Sequence, residues 1–125
     1  MNRSAARILV ADDDEDIRDL VATKLELGGY EVRSVADGDA ALAQIRQWEP
    51  DLAVLDIAMP GTDGLDVLRE VRRDPDVSET RVVMLTAKAT TSDSELGLTA
   101  GADVYVFKPF SPADLLDRVS ELLES

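Results

Sequence analysis

The chain has 125 residues, 45% of them apolar, so it is long enough to form one globular domain with its own core. It contains no histidine and no cysteine, which excludes Ser-His-Asp hydrolysis, thiol chemistry, Cys/His zinc sites and disulfides. Its 26 acidic and 13 basic residues give a net charge of −13, which disfavours direct binding to nucleic acid or to an anionic membrane.

The first apolar run of the chain predicts a strand rather than a targeting segment. This run, 8–11, is shorter than the core of a signal peptide. No stretch approaches the ~18 consecutive apolar residues that a membrane span needs. We therefore expect a cytoplasmic protein.

Five short segments predict β-strands. Four are uninterrupted apolar runs of four residues, typical of central strands in a parallel sheet covered on both faces: 8–11, 52–55, 82–85 and 104–107. The fifth segment, 31–35, mixes polar and apolar residues, which indicates an edge strand.

Longer segments with apolar residues at helical spacing alternate with these strands and predict five helices. The weakest is 92–100, where Ser92 and Glu95 form a capping box but Gly97 lies in the interior, at a cost of ~1 kcal/mol. The alternation predicts a doubly wound α/β sandwich with a parallel sheet and right-handed crossovers. In such sheets, functional residues gather at the carboxyl ends of the strands.

Polar residues follow four of the predicted strands at their carboxyl ends. They are Asp12 and Asp13 after the first run, then Asp56, Thr86 and Lys108. Because these ends meet at one edge of the sheet, we expect carboxylates, a hydroxyl and an ammonium group in one small cleft. The acids at 14–16 are instead expected to cap and begin the first helix.

This set of side chains predicts phosphoryl transfer assisted by a cation. Clustered carboxylates repel one another unless a cation neutralises them, and Mg²⁺ prefers oxygen ligands. A carboxylate beside Mg²⁺ can attack a phosphoryl group and form an aspartyl phosphate. Lys108 and Thr86 provide an ammonium and a hydroxyl that stabilise charge on the transferred group.

Four stretches of the chain resemble the receiver domain of two-component response regulators. They are ILVADDD at 8–14, LDIAMPGTDG at 55–64, MLTAK at 84–88 and GADVYVFKPF at 101–110. The resemblance implies a receiver domain at residues 7–124, after an amino-terminal extension at residues 1–6. It also implies a flavodoxin-like three-layer sandwich with five helices and a five-stranded parallel sheet of order 2-1-3-4-5.

The resemblance also implies roles for the residues of the cleft. Asp56 is the phospho-acceptor and a metal ligand, Asp13 binds Mg²⁺ directly, and Asp12 acts on the metal mostly through water. The backbone carbonyl of Ala58 is a further metal ligand, and Mn²⁺ is an alternative ion. Lys108 pairs with the phosphoryl group.

Other residues are implied to control the switch and its lifetime. Thr86 and Tyr105 form the switch pair, with a core position as the alternative role for Tyr105. A cis peptide bond at Lys108–Pro109 aims the lysine into the cleft. Ala58 and Lys88 flank the path of the water that removes the phosphoryl group, so they are expected to tune dephosphorylation.

Two other functions are open at this point. A Mg²⁺-dependent phosphohydrolase with an aspartate nucleophile usually has a second aspartate two positions later, where this chain has Ala58. A pseudo-receiver binds partners without being phosphorylated, but such a module has no need of the complete set Asp12, Asp13, Asp56, Thr86 and Lys108.

The composition and the resemblance together predict the partners. Because the chain lacks histidine, the phosphoryl group must come from a separate sensor histidine kinase or phosphotransfer protein. The output is expected through an effector protein or a carboxyl-terminal output domain, with no enzymatic activity beyond the chain's own phosphorylation and dephosphorylation. Dimerising relatives often have two acids before the tyrosine, and here Val104 replaces one of them. We expect a monomer or a weak, phosphorylation-dependent dimer.

Overall fold

A five-stranded parallel sheet forms the centre of the computed structural model, which describes residues 5–86 and 101–124. The strands are β1 (Arg7–Ala11), β2 (Glu31–Val35), β3 (Leu52–Asp56), β4 (Arg81–Thr86) and β5 (Val104–Phe107). Their order is β2-β1-β3-β4-β5, and every neighbouring pair is parallel. The predicted doubly wound sheet and its strand order are confirmed.

Four helices lie in the described residues: α1 (Glu15–Leu27), α2 (Gly38–Trp48), α3 (Gly64–Arg73) and α4 (Pro112–Glu124). The predicted helix at 92–100, which would make five, lies outside the described residues. The first three begin after an aspartate whose carboxylate accepts from first-turn N–H groups, and Asp14 is the cap of α1, as predicted. None of the described helices combines the length and apolar character needed to cross a membrane.

Two apolar cores lie on opposite faces of the sheet. Successive strand residues point to opposite faces. Leu9 and Leu55 therefore join the core under α2 and α3 (the α2/α3 core), and Ile8 and Val54 join the core under α1 and α4 (the α1/α4 core). Withdrawing one such side chain from water contributes roughly 1.5–3 kcal/mol. Because both faces are covered, β1, β3 and β4 are buried almost throughout, as their uninterrupted apolar runs predict.

The two edge strands differ in composition. β2 lies at one edge, as its mixed sequence predicts. β5 lies at the other edge, as the strand order implied by the resemblance places it, although its uninterrupted apolar run alone is typical of a central strand. Tyr105 packs against the α2/α3 core while Val104 and Val106 pack against the α1/α4 core, which explains why an edge strand is apolar. Among the described strands only β4 flanks β5, and Phe107 is accordingly 39% exposed.

The loop after β3 folds back over the carboxyl end of that strand. Gly64, the first residue of α3, permits this close return, because a Cβ atom there would lie 2.3 Å from the backbone oxygen of Asp56. The N–H of Gly64 donates to the backbone oxygen of Ile57 at 2.9 Å. The loop 57–63 is thereby held beside the end of β3.

Candidate functional site

Three charged side chains from different strands meet at the carboxyl edge of the sheet. Asp12 follows β1, Asp56 ends β3, and Lys108 follows β5. The Lys108 Nζ donates to Asp12 Oδ2 at 3.2 Å and to Asp56 Oδ2 at 3.1 Å. The side chains are nearly buried, with exposed fractions of 0% for Asp12, 6% for Asp56 and 16% for Lys108. The structure thus brings these three predicted side chains together, and two carboxylates share one ammonium group.

The turn between β1 and α1 carries two acids with different surroundings. The backbone N–H of Asp12 donates to the Val35 oxygen at 3.2 Å, and Asp12 Oδ1 accepts from the N–H of Asp14 at 2.9 Å. Asp13 is exposed, and within residues 5–86 and 101–124 its carboxylate accepts no hydrogen bond. Asp12 is therefore a fixed acid, and Asp13 is an accessible one.

The acidic residues fit a hard divalent cation. Asp12, Asp13 and Asp56 each offer a carboxylate oxygen, and these oxygens lie within 4.8 Å of one another. Mg²⁺ binds oxygen at ~2.0–2.1 Å in octahedral geometry, so opposite ligands are about 4 Å apart, and it usually keeps several waters. Asp13 is the exposed member of the set, so its side chain has the most freedom to adjust to such an ion. Carboxylate and carbonyl oxygens favour Mg²⁺ or Mn²⁺ over the metals that prefer nitrogen and sulfur.

Burial and the neighbouring charges shift the pKa values of Asp56 and Lys108. Burial is the main reason why the pKa of Asp56 is raised from 3.8 to about 6. The charge of Asp12 raises it further, and the nearby Lys108 only partly lowers it. Burial lowers the pKa of Lys108, but the Asp56 and Asp12 carboxylates outweigh burial and raise it overall. The lysine therefore stays charged at neutral pH, yet its single charge does not balance the acids.

Both carboxylate oxygens of Asp56 are oriented. The backbone N–H of Ala58 donates to Oδ1 at 3.3 Å, while Lys108 donates to Oδ2. Ala58 itself is exposed, so a methyl group and solvent lie next to the acceptor candidate. The carboxylate is thus held by two donors, and nothing larger than a methyl group extends from position 58.

The remaining predicted residues lie on the β4 and β5 side of the cleft. Thr86 ends β4, is buried, and accepts the backbone N–H of Lys108 at 2.7 Å through its backbone oxygen. Tyr105 lies three residues before Lys108 and packs against the α2/α3 core, so it contributes to that core. The Lys108–Pro109 peptide bond is cis. Lys88 lies outside the described residues.

One residue beside the site, Arg18, was not predicted from the sequence. The Arg18 Nη1 atom donates to the backbone oxygen of Asp12 at 3.0 Å, from within α1. The available signal was a single basic residue one helical turn after the Asp14 cap, inside a strongly acidic stretch. Charge pairing with the neighbouring acids is the simplest interpretation of such a residue, and it does not predict a bond to a carbonyl.

The fold and the site together define a class of protein: a doubly wound α/β domain with an acidic cation site and a lysine at the carboxyl edge of the sheet. Residues 8–120 match the family model of the response regulator receiver domain. The chain belongs to this family.

Relatives and solved structures agree with this assignment. The chain is 44% identical over 119 residues to the DNA-binding response regulator MtrA of Mycolicibacterium smegmatis, covering 95% of this chain and 51% of that protein. It superposes on a putative response regulator from Chloroflexus aurantiacus with a TM-score of 0.92 and 36% identity, covering 98% and 100% of the two chains. For the chemotaxis response regulator CheY4 of Vibrio cholerae, the TM-score is 0.89 and the identity 32%, covering 95% and 99%. The chain spans about half the length of the curated relatives it matches.

A receiver domain is the switch of a phosphorelay, and this is the function of the chain. The predicted receiver resemblance is confirmed. The comparisons give no support to a phosphohydrolase or to a non-phosphorylated binding module.

Proposed function

We propose that Asp56 accepts the phosphoryl group of the relay. The observation that carries the proposal is the position of Lys108, whose ammonium group donates to both Asp56 and Asp12 at the sheet edge. An Asp56 carboxylate oxygen attacks the phosphorus, a new P–O bond forms, and the P–N bond to a donor histidine breaks. The electron pair of that bond leaves with the donor imidazole.

The residues around Asp56 orient the attack and stabilise its charge. The Ala58 N–H and Lys108 hold the two carboxylate oxygens, so the acceptor is positioned before the donor arrives. Lys108 can follow the developing charge because its ammonium group already lies at the acceptor. The Thr86 hydroxyl, at the end of the neighbouring strand, is a second donor for the phosphoryl oxygens.

The proposed cation is Mg²⁺, with Mn²⁺ as an alternative, held by Asp12, Asp13, Asp56 and the backbone carbonyl of Ala58. The cluster of carboxylate oxygens within 4.8 Å and the single positive charge of Lys108 support this assignment. When bound, the ion supplies positive charge to the oxygens of the transferred group. Asp13 is the ligand that adjusts, because its carboxylate is exposed.

The proposed partners follow from composition and from the relatives. With no histidine in the chain, the donor is a sensor histidine kinase or a phosphotransfer protein. The output passes to an effector protein or to a DNA-binding part like that of the MtrA proteins, while the receiver domain itself, at −13, makes no nucleic-acid or membrane contact. The proposed domain bounds are residues 7–124, and the extent of the described elements, from Arg7 in β1 to Glu124 in α4, supports them. We place it in the cytoplasm and assign it no catalysis beyond its own phosphorylation and dephosphorylation.

The proposed switch is the pair Thr86 and Tyr105, and the proposed control of its lifetime lies at Ala58 and Lys88. A phosphoryl group on Asp56 draws the Thr86 hydroxyl toward it and opens space that the Tyr105 ring can fill. The methyl side chain of Ala58 cannot hydrogen-bond an attacking water, so the phosphorylated state is expected to persist and to suit a slow output.

The test is phosphorylation of the purified chain by a small acyl or amido phosphate with Mg²⁺. Intact mass spectrometry should show the gain of one phosphoryl group, and peptide mapping after reductive trapping should locate it at Asp56. Asp56→Asn should abolish the gain. Asp66→Asn, the same substitution at an exposed position on α3, should not. A phosphoryl group that persists in Asp56→Asn at the wild-type level would contradict the proposal.

A further inference from the structure

Arg18 forms a hydrogen bond that its acidic sequence neighbours do not predict. It is surrounded in sequence by Asp14, Glu15, Asp16 and Asp19, yet within the described residues it forms no ion pair. Its guanidinium group instead donates to the neutral backbone oxygen of Asp12 at 3.0 Å. Exposed ion pairs between helix neighbours are weak, so a partly buried bond to a carbonyl can prevail over them.

The geometry of α1 explains how the side chain reaches Asp12. The N–H of Arg18 donates to the backbone oxygen of Asp14 at 2.9 Å, so Arg18 lies one turn into the helix. Helical side chains lean toward the amino terminus, and the guanidinium group therefore extends back over the first turn. Its bond to Asp12 spans the whole turn that carries the two acids of the site.

The Asp12 carbonyl belongs to the peptide group that joins Asp12 to Asp13. Because a peptide group is planar, a bond that fixes its carbonyl also fixes the plane from which the Asp13 side chain departs. The side chain and N–H of Asp12 are held by Lys108, Asp14 and Val35. The carboxylate of Asp13, by contrast, has no hydrogen bond within the described residues, so its direction depends on its backbone.

We propose that Arg18 is a positioning residue for the cation site: its bond to the Asp12 carbonyl aims the Asp13 carboxylate at the cluster formed with Asp56. The inference rests on the proposed function, since it assumes that the cluster binds Mg²⁺. Arg18 acts through the backbone and contacts neither the ion nor the phosphoryl group. Residues that orient metal ligands in this way typically change metal affinity by about 10–100-fold when they are replaced.

A purely electrostatic role and a positioning role of Arg18 predict opposite changes in Mg²⁺ affinity for Arg18→Met. Removal of a cation near the site strengthens Mg²⁺ binding if only charge matters. Loss of the bond to Asp12 weakens Mg²⁺ binding if position matters. Arg69→Met is the matched control, because Arg69 lies on α3 with its guanidinium group on exposed Asp66 and carries the same charge.

The experiment measures Mg²⁺ binding to wild type, Arg18→Met, Arg18→Lys and Arg69→Met by isothermal titration calorimetry. Arg18→Met should weaken binding about 10-fold, and Arg18→Lys should recover part of the loss because it can still donate to the carbonyl. Arg69→Met should match wild type. Phosphorylation of Arg18→Met should approach the wild-type rate at saturating Mg²⁺, since the acceptor and Lys108 are unchanged.

Urea unfolding in chelator separates positioning from a merely structural role. A structural role lowers the stability of Arg18→Met but leaves the Mg²⁺ affinity of the folded protein unchanged, and that result would overturn the inference. Tighter Mg²⁺ binding by Arg18→Met would overturn it too. If Arg18→Met does not fold, the inference is decided by Arg18→Lys, where wild-type affinity contradicts it. A wild-type chain that binds no Mg²⁺ refutes the proposed function itself, which is a distinct outcome.

Discussion

Lys108 and Asp56 are separated by 52 positions in the chain, and the ammonium group of the first donates to the carboxylate of the second at 3.1 Å. The same ammonium group also binds Asp12, so one positive charge is divided between two buried acids. Burial and the Asp12 charge keep the pKa of Asp56 near 6 despite the lysine. At neutral pH the cleft therefore has less positive than negative charge, and a proton or a cation that binds there would relieve the repulsion between its carboxylates.

Mg²⁺ should raise the melting temperature of the chain, because an ion that binds only the folded state stabilises it by mass action. The free energy of unfolding should rise by ~2.7 kcal/mol when the Mg²⁺ concentration is 100-fold above its dissociation constant. Asp13→Asn should remove most of this gain, while Asp66→Asn should keep it. The measurement is thermal unfolding with Mg²⁺ and with chelator. Equal stabilisation of Asp13→Asn and wild type would refute the ligand assignment.

Asp56→Asn should stabilise the metal-free protein at neutral pH. The folded-state pKa of Asp56, about 6, is raised above its ordinary value of 3.8, so its contribution to stability is present below about pH 4 and is lost as the pH rises through 6. Each unit of difference between the folded and unfolded pKa is worth ~1.4 kcal/mol, so the free energy of unfolding falls by on the order of 2–3 kcal/mol. Urea unfolding of both proteins in chelator should therefore give a difference that shrinks toward pH 4. A difference independent of pH would contradict the raised pKa.

Lys108→Met should destabilise the metal-free protein, since it leaves two nearly buried carboxylates without their cation. Removal of one partner from a buried ion pair lowers the free energy of unfolding by ~3–5 kcal/mol. We expect the lower end of this range because the lysine side chain is 16% exposed. The loss should shrink near pH 5, where Asp56 takes up a proton. Lys24→Met, on the last turn of α1, is the control and should have little effect. An equal loss at acid and neutral pH would argue against charge repulsion as the cause.

Ala58→Asn should shorten the life of the phosphorylated state, because an amide two residues after the acceptor can orient the attacking water. Such assistance is typically worth ~10²–10⁴-fold, and one oriented water should supply only part of it. Lys88→Ala should have a smaller effect. The readout is decay of the Mg²⁺-bound phosphoprotein after removal of the donor. An unchanged half-life in Ala58→Asn would show that dephosphorylation is controlled elsewhere.

The chain without phosphate should sediment as a monomer. Asp103, the acid that remains before Tyr105, is already used within the chain, where Oδ2 accepts from Val82 N at 2.8 Å and from Arg72 Nη2 at 3.2 Å. Position 104 holds a valine that packs against the α1/α4 core. Phosphorylation should produce at most weak association in sedimentation velocity. A tight dimer in the unphosphorylated protein would refute this expectation.

Local features of the sequence determined most of the fold and which residues form the site. Uninterrupted apolar runs identify strands covered on both faces, because each face of the sheet must be buried. Asp14 marks the start of α1 because its carboxylate satisfies N–H groups that have no partner inside the helix. Asp12, Asp56 and Lys108 each follow a predicted strand, and parallel strands bring their carboxyl ends to one edge of the sheet.

Tertiary structure alone decided how these residues are paired. An apolar run does not reveal how many strands flank it, and β5 is apolar at an edge because it packs against both cores. The bond between Lys108 and Asp12 joins residues 96 positions apart, and no local pattern specifies it. Arg18 binds a carbonyl rather than the acids beside it, because the competition between those partners is settled by burial and by the direction of the side chain. Hydrogen-bond partners depend on which groups the folded chain brings close together, whereas the positions of strands and helices follow from periodicity along the chain.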